Sequence, residues 1–338
     1  MQKAIIHYFS GTGNSLLAAR TLAKGLTEYD ITYHAIEKGK PDHIDLYELH
    51  IFFFPVYATS VPHIMRKYIA GLSRGKGTKA AVISTNANVS TQSRDGYQGW
   101  ALHQARLCLK KRGYDVFFSD TLDFPHNLTI VFPPTKDSTN QILIRKATEA
   151  ILPIAEKISA GITYHRGFFY PNIIWSIPFG ILYTVIGRRL FGKLFAADGS
   201  CNKCGLCAQQ CPAKVIKVKN KRLSWGWSCE GCMRCMNICP KSSIQTSTVR
   251  LLLVIVATVA NPLYYLYKKY LLEYVMELGN ISTAVISGII WLLLLMLFTG
   301  ILDLALYYLS YIPVIRKILG FGHTKFLGRY HAKKYETR

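Results

Sequence analysis

Apolar and polar positions follow two different periods along the first half of the chain. Residues 3–9 form a short apolar run, followed by a polar loop at residues 10–15 and by apolar residues at helical spacing from Leu16 to Leu22. This order predicts a strand, a loop and a helix. Further strands are predicted at residues 31–36, 49–54, 79–85 and 115–121, and further helices at residues 63–72, 97–112 and 140–160.

The alternation of strands and helices predicts one α/β domain over residues 1–165. Such an order builds a doubly wound parallel sheet that carries helices on both of its faces. Ligands of these sheets bind at the carboxyl ends of the strands. Loop 10–15 follows the first strand directly, so it is the first candidate for a binding site.

The loop after the first strand reads Ser10-Gly11-Thr12-Gly13-Asn14-Ser15. Its glycines let the backbone approach a phosphate closely, and three of its side chains supply hydroxyl groups. The helix that follows presents free N–H groups and the positive end of its dipole. The loop has no lysine, which disfavours a Walker-type nucleotide site, and it lacks the GxGxxG pattern of dinucleotide-binding folds.

This hydroxyl-rich loop resembles the FMN phosphate loop of flavodoxins. The resemblance covers residues 1–165 and implies a flavodoxin-like sheet of order 2-1-3-4-5, with FMN at the switch between the first and third strands. It also implies that the loops after the third and fourth strands hold the isoalloxazine ring. The implied FMN-binding residues are Ser10, Gly11, Thr12, Gly13, Asn14, Ser15, Pro55, Val56, Tyr57, Asn86, Tyr97 and Trp100. A tight turn beside aromatic core residues is the alternative interpretation.

Eight of the nine cysteines lie between residues 201 and 239, in two copies of the spacing CxxCxxCxxxC followed by proline. This is the thiolate spacing of bacterial two-cluster iron–sulfur modules. The predicted ligands are Cys201, Cys204, Cys207, Cys211, Cys229, Cys232, Cys235 and Cys239. Zinc knuckles are the alternative, but zinc gives no reason for the third and fourth cysteine of each copy. We therefore expect two [4Fe–4S] clusters in a small α+β ferredoxin domain over residues 199–248.

The module resembles two-cluster ferredoxins, in which the fourth cysteine of each copy crosses to the other cluster. The resemblance implies that cluster one is held by Cys201, Cys204, Cys207 and Cys239. It implies that cluster two is held by Cys229, Cys232, Cys235 and Cys211.

Basic residues surround these cysteines, against a single nearby acid, Glu230. Positive charge near an anionic cluster favours its reduced state and raises its potential. The same charge attracts acidic surfaces. We therefore expect an acidic redox protein as a partner, and contact with anionic membrane lipid.

Two uncharged runs near the C-terminus, residues 251–267 and 281–302, are candidates for membrane spans. The second run is long enough to cross the hydrocarbon core of a bilayer. The first is interrupted by Asn261 and Pro262, so one re-entrant segment with one true span is the alternative. We expect residues 249–315 to form a membrane segment of two spans, with Asp303 as an interfacial carboxylate.

The connector over residues 166–198 contains a third uncharged run, residues 168–187. The run is long enough to span a bilayer, but Pro171 and Pro178 count against a span. We expect it to lie on the membrane surface or to pack between the flavodoxin-like and ferredoxin domains.

The net charge of +22 is compatible with nucleic acid, an anionic membrane or acidic proteins as partners. The apolar runs favour the membrane, and no nucleic-acid partner is expected. Residues 316–338 are basic, which predicts a cytoplasmic tail. An even number of spans then places the flavodoxin-like domain, the ferredoxin domain and the tail on the cytoplasmic side of the cytoplasmic membrane. The chain starts with a strand and not with a signal peptide, which agrees with this side.

The whole order is similar to the prokaryotic ferredoxin family whose N-terminal region resembles flavodoxins. This resemblance implies a membrane-attached protein that passes electrons between FMN and two [4Fe–4S] clusters, a carrier more than an enzyme with its own substrate. Two alternatives remain open. One is a flavin-dependent oxidoreductase that reduces a quinone or another small acceptor with electrons from the clusters, and the other is a flavin-less iron–sulfur sensor or scaffold.

Overall fold

The first half of the chain folds around a six-stranded parallel sheet. The computed structural model describes residues 1–89, 97–130, 132–167, 173–219, 222–272 and 280–332. The strands are β1 (Gln2–Tyr8), β2 (Tyr29–Ala35), β3 (Leu49–Pro55), β4 (Lys79–Asn88), β5 (Asp115–Pro125) and β6 (Tyr164–His165). Their order is β2-β1-β3-β4-β5-β6. This confirms the predicted order 2-1-3-4-5 and adds β6, which pairs with β5 over two residues.

Helices cover both faces of the sheet. They are α1 (Asn14–Gly25), α2 (His63–Gly71), α3 (Ala101–Lys111) and α4 (Asp137–Ser159). Helices α1 and α4 pack on one face, α2 and α3 on the other. Phe53 belongs to the first core and Phe52 to the second, because successive side chains of a strand point to opposite faces. Every residue of β3 is buried, as expected for a central strand covered on both sides.

A helical connector follows β6. It consists of α5 (Ile173–Leu182), a π-helical turn (Tyr183–Gly187) and α6 (Arg188–Leu194). On its inner side, the Ser176 carbonyl accepts a hydrogen bond from the Thr59 hydroxyl at 2.7 Å. On its outer side, Trp175 is 78% exposed. The connector therefore packs on the first domain and leaves an apolar face open; residues 168–172, including Pro171, lie outside the described residues.

A small α+β unit holds the cysteine motifs. Its elements are β7 (Phe195–Ala197), α7 (Leu206–Gln209), β8 (Ile216–Lys219), β9 (Arg222–Trp225), α8 (Arg234–Asn237) and β10 (Ile244–Thr246). Strands β7 and β10 pair antiparallel, and β8 and β9 form a hairpin whose turn, residues 220–221, lies outside the described residues. Cys207 lies in α7 and Cys235 in α8, so the third cysteine of each copy occupies the same structural position.

Long apolar helices follow the cysteine unit. They are α9 (Thr248–Val259), α10 (Pro262–Tyr270) and α11 (Asn280–Leu309), and the amphipathic helix α12 (Pro313–Gly320) comes next. The break between α9 and α10 is capped by the Asn261 side chain, which accepts from the N–H of Leu263 at 3.1 Å. Thr248–Tyr270 and Ser282–Leu309 are long and apolar enough to cross a membrane. Residues 273–279 and residues 333–338 of the predicted basic tail lie outside the described residues.

Candidate functional site

The glycine loop at residues 10–15 connects the carboxyl end of β1 to α1. Gly13 has a φ angle of 103°, a left-handed conformation that favours glycine. The Ser15 hydroxyl lies 2.8 Å from the hydroxyl of Thr85. The Thr12 hydroxyl is buried and has no hydrogen-bond partner among the described residues. Buried hydroxyl groups are normally hydrogen-bonded, so this hydroxyl is a candidate to bind a ligand that supplies the missing partner.

A small cavity opens between this loop and the ends of β3, β4 and β5. Predicted site residues that line it are Ser10, Gly11, Thr12, Asn14, Ser15, Pro55, Val56 and Asn86. The fold thus brings the phosphate loop and part of both ring-binding loops to one edge of the sheet. The cavity volume is about 20 Å³. Among the described residues, the cavity therefore has room for a group of phosphate size but not for a whole flavin.

The three aromatic residues among the implied FMN-binding residues are held by other parts of the protein. Tyr57 starts a tight turn closed by two backbone hydrogen bonds with Ser60, each 3.0 Å long. Its hydroxyl is buried without a hydrogen-bond partner in the described residues, and burial raises the pKa of Tyr57 well above its usual value. The indole N–H of Trp100 donates to the Ser60 hydroxyl at 2.8 Å, and the Tyr97 hydroxyl lies 2.5 Å from that of Ser176. Residues 90–96, which precede Tyr97, lie outside the described residues.

The eight cysteines gather in two groups. Burial raises the pKa of Cys207 to about 11, and the neighbouring thiols that raise it further are Cys201, Cys239 and Cys204. Burial also raises the pKa of Cys235, and the neighbouring thiols that raise it further are Cys232, Cys229 and Cys211. Each group therefore contains three cysteines of one copy and the fourth cysteine of the other. These are the crossed sets that the ferredoxin resemblance implies.

The choice between clusters and zinc rests on the cysteine pattern. Among the described residues, no group of three or more Cys, His, Asp and Glu side chains forms a site for a single metal ion. The spacing CxxCxxCxxxC occurs twice, and a zinc site does not require its third and fourth cysteines.

Hydrogen bonds to sulfur already exist in both groups. The Ser243 hydroxyl lies 3.2 Å from Cys239 Sγ, and the N–H of Ser243 donates to the same sulfur at 3.3 Å. Burial raises the pKa of Cys239, but these bonds and those from the N–H groups of Lys241 and Ile244 outweigh it, so the pKa falls below its usual value. Such donors stabilise anionic sulfur ligands and help to set a cluster's potential.

The cluster-two loop lies directly against the phosphate loop. A Cβ atom at Gly11 would be 2.5 Å from the carbonyl oxygen of Cys232, closer than any side chain permits. The Arg234 guanidinium donates to the Ser10 carbonyl at 2.7 Å and forms an ion pair with Glu37, also at 2.7 Å. The flavodoxin-like fold and the cysteine unit therefore meet at their candidate cofactor sites.

A buried ion pair contacts the loop that carries Cys229. Arg188 of the connector lies 3.4 Å from Glu230, and the two side chains are only 5% and 4% exposed. Arg188 also donates to the Cys229 carbonyl at 3.0 Å, while Glu230 accepts from the N–H of Ile64 at 3.2 Å. Glu230 thus joins the cysteine unit to the connector and to α2. Its sequence surroundings gave no signal of this role.

The segment after α12 returns to the phosphate loop, a contact that the sequence did not predict. Tyr330 is buried, and its hydroxyl donates to the Asn14 side-chain oxygen at 2.5 Å. Its N–H donates to the Asn237 side-chain oxygen at 2.8 Å. The N–H of Ala332 donates to the Thr12 carbonyl at 2.8 Å. This segment therefore fastens the phosphate loop to the cysteine unit.

Residues 193–240 match the protein family described as "4Fe-4S dicluster domain". The chain joins a flavodoxin-like domain to a 4Fe-4S dicluster domain. Because the strand order is flavodoxin-like and the second domain is of a cluster-binding type, the fusion indicates an electron-transfer protein. No curated protein matches the chain.

Solved flavodoxins are similar to the first half of this fusion. An archaeal flavodoxin is 17% identical, with a TM-score of 0.31, over 46% of this chain and 99% of that chain. Oxidised flavodoxin 2 from Bacillus cereus is 15% identical, with a TM-score of 0.32, over 46% and 99%. Two-electron reduced flavodoxin from Megasphaera elsdenii is 14% identical, with a TM-score of 0.31, over 44% and 98%. The assignment of the fold rests on the strand order and not on these scores.

Proposed function

We propose that this fusion is a membrane-attached electron carrier that holds FMN and two [4Fe–4S] clusters in one chain. The observation that carries the proposal is the close approach of Gly11 to Cys232, which joins the phosphate loop to the cluster-two loop. FMN, when bound, exchanges one or two electrons, whereas a cluster exchanges one at a time. The protein supplies position and electrostatics for that exchange.

The glycine loop would hold the phosphate of FMN. Its hydroxyls and backbone N–H groups provide donors, and the unpartnered Thr12 hydroxyl is available to a phosphate oxygen. Among the described residues, no Asp or Glu lines the cavity, so none of them opposes a phosphate there. The residues that would hold the ring remain Pro55, Val56, Tyr57, Asn86, Tyr97 and Trp100, with the two loops parted.

The two clusters would have different positions in the relay. Cys229, Cys232 and Cys235 are buried, whereas Cys204 is exposed. Cluster two would therefore exchange electrons inside the protein, next to the phosphate loop. Cluster one would exchange electrons with a partner at the surface. The basic residue Lys203, next to Cys204 in the sequence, favours an acidic redox protein.

The apolar helices would anchor the carrier in the cytoplasmic membrane. Helix α12 supports this, because Val314 and Ile318 are exposed on it beside Arg316 and Lys317, as in helices that lie at a membrane surface. By the positive-inside rule, the flavodoxin-like domain, the ferredoxin domain and the tail would be cytoplasmic. The proposed division of the chain is 1–165, 166–198, 199–248, 249–315 and 316–338.

Cofactor analysis of the full-length protein, purified without oxygen, tests the proposal. We expect about eight iron atoms and about eight acid-labile sulfides per chain, and one FMN after reconstitution. Thr12→Val removes only the unpartnered hydroxyl and should weaken FMN binding about tenfold, with unchanged iron content. Thr21→Val, on α1 away from the cavity, is the matched control. Zinc without iron would contradict the cluster assignment, and no flavin after reconstitution would contradict the FMN assignment.

A further inference from the structure

A large cavity lies between the ferredoxin domain and the ends of the apolar helices. Its volume is about 830 Å³, within the range of ligand sites. One wall comes from α11 and α12, and the opposite wall comes from the ferredoxin domain, including Cys201 of cluster one. None of the residues assigned to FMN lines it. The cavity is therefore a separate site.

The lining of this cavity carries unbalanced positive charge. The lining contains two carboxylates, Asp303 and Asp198. Asp303 accepts from Lys193 at 2.7 Å and from Arg250 at 2.8 Å, and Asp198 lies 3.9 Å from Lys325, so both charges are already matched. The other basic residues of the lining are Lys203, Lys217, Arg222, Arg316 and Lys317. Within the described ranges, no carboxylate forms an ion pair with any of these five. The lining is therefore suited to an anion.

One cation of the lining is held in a fixed position. The Arg222 guanidinium lies over the Tyr311 ring, 3.6 Å from its centroid. A fixed guanidinium presents its N–H donors in a geometry that matches the oxygens of a phosphate. Arg222 is therefore a preorganised group for an anionic ligand.

The cavity has both polar and apolar walls, and it lies beside the start of α9 and the end of α11. Arg250 lies in the first turn of α9, while Gly300 and Leu304 lie near the end of α11. Trp227 and Tyr307 also line the cavity, and both residue types are favoured at membrane interfaces. A ligand that fits these walls has an anionic head and an apolar tail.

We propose that this cavity binds the headgroup of an anionic phospholipid, with its phosphate at Arg222 and its acyl chains along α11. The inference rests on the proposed membrane attachment. It explains why the cavity is both basic and level with the ends of the two apolar helices. A neutral quinone would leave the five cations unmatched, so it fits the lining less well.

The proposed lipid would also act on cluster one, because Cys201 is part of the lining. A negative phosphate nearby opposes the extra negative charge that a cluster gains on reduction. The reduction potential of cluster one should therefore fall when the lipid binds. Cluster two, at the phosphate loop of the other domain, should keep its potential.

Short-chain lipids added to the full-length protein in mild detergent test this inference. The probes are dihexanoyl phosphatidylglycerol, dihexanoyl phosphatidylcholine, inorganic phosphate and a short-chain quinone, and the readouts are native mass spectrometry and tryptophan fluorescence. We expect phosphatidylglycerol to bind at least about tenfold more tightly than each of the others. Arg222→Gln combined with Lys317→Gln should weaken its binding about tenfold. Lys110→Gln with Lys111→Gln, on α3, removes the same charge and should have no effect.

Lys317→Gln alone changes an exposed side chain and keeps the test valid if the double variant does not fold. Equal binding of the two lipids, equal binding of inorganic phosphate, tighter binding of the quinone, or no effect of either variant would overturn the lipid site. Alkaline carbonate extraction tests attachment separately. Release into carbonate contradicts the membrane proposal, whereas retention without a preference for phosphatidylglycerol contradicts only the lipid site.

Discussion

The carbonyl oxygen of Cys232 lies 2.5 Å from the position that a Cβ atom would take at Gly11. Gly11 belongs to the loop that would hold the flavin phosphate, and Cys232 belongs to the loop that would hold cluster two. Two sites that the sequence places in separate domains are therefore neighbours in the folded chain. An electron exchanged between the proposed flavin and cluster two would therefore not have to leave the protein.

Gly11→Ala tests this packing. A methyl group there must push the two loops apart, because the backbone carbonyl of Cys232 occupies the space, with the Tyr57 hydroxyl also 2.7 Å away. Overpacking of this kind costs about 1–3 kcal/mol, so the contact between the domains should weaken. Hydrogen exchange at residues 229–235 should increase. Gly167→Ala, where no atom lies within 4 Å, should leave exchange unchanged; equal behaviour of the two variants would count against the contact.

The ion pair between Arg234 and Glu37 should couple the two domains energetically. The distance is 2.7 Å and the side chains are 13% and 21% exposed, so solvent screens the pair only in part. A double-mutant cycle with Arg234→Met and Glu37→Gln should give a coupling energy of about 1–3 kcal/mol in denaturant unfolding. The exposed pair Arg145 and Glu149, at 3.9 Å, should give less than about 0.5 kcal/mol in the same cycle. Equal coupling energies would contradict the prediction.

Tyr330→Phe should loosen the phosphate loop. The variant removes the hydroxyl that donates to Asn14 at 2.5 Å and leaves a buried amide oxygen short of a donor. We expect the Kd for FMN to rise about fivefold to tenfold, measured from the fluorescence of released flavin. Tyr265→Phe changes a tyrosine that is 67% exposed on α10 and serves as the control. An unchanged Kd would show that the segment after α12 does not support the flavin site.

Stability should fall in mild acid because of a buried histidine pair. His7 Nε2 lies 2.9 Å from His50 Nδ1 beneath the sheet surface. Burial lowers the pKa of His50 from 6.5 to about 4, and burial together with the charges of His50 and His34 lowers the pKa of His7 well below its usual value. The unfolded chain takes up these protons near pH 6.5, whereas the folded chain does not. The free energy of unfolding is therefore highest above pH 6.5 and decreases as the pH falls from 6.5 toward 4.

The loss from His50 alone should be about 2 kcal/mol between pH 7 and pH 5. His50→Phe, among aromatic neighbours such as Phe52 and Tyr114, should reduce the pH dependence of the unfolding free energy by that amount. Denaturant unfolding in detergent at both pH values measures it. His43→Asn, at an exposed position with a left-handed backbone, is the control. An unchanged pH dependence in His50→Phe would refute the assignment.

Local pattern was enough to predict the sheet and the cysteine unit. Strand β3 is a continuous buried apolar run, and the two cysteine motifs have a spacing that few structures other than clusters require. The short β6 carries too few residues to show a period, so the sequence did not predict it. Patterns within one segment predict that segment well.

Contacts between distant segments left no local pattern. In the sequence, Tyr330 is a single aromatic residue in a basic segment. Only the folded structure shows that it contacts Asn14. Asp303 reads as a lone interfacial carboxylate, although Lys193 and Arg250 both bond to it. Such partners are determined by tertiary structure, so no pattern within one segment indicates them.

Flash photoreduction of the flavin tests the central claim most directly. In the full-length protein loaded with FMN and clusters, the flavin is reduced by a light pulse, and reduction of the clusters is followed by their loss of visible absorbance. We predict first-order transfer with a rate that is independent of protein concentration, and a slower rate in Gly11→Ala. A rate proportional to protein concentration, or no cluster reduction, would contradict an electron path from the phosphate loop to cluster two within one chain.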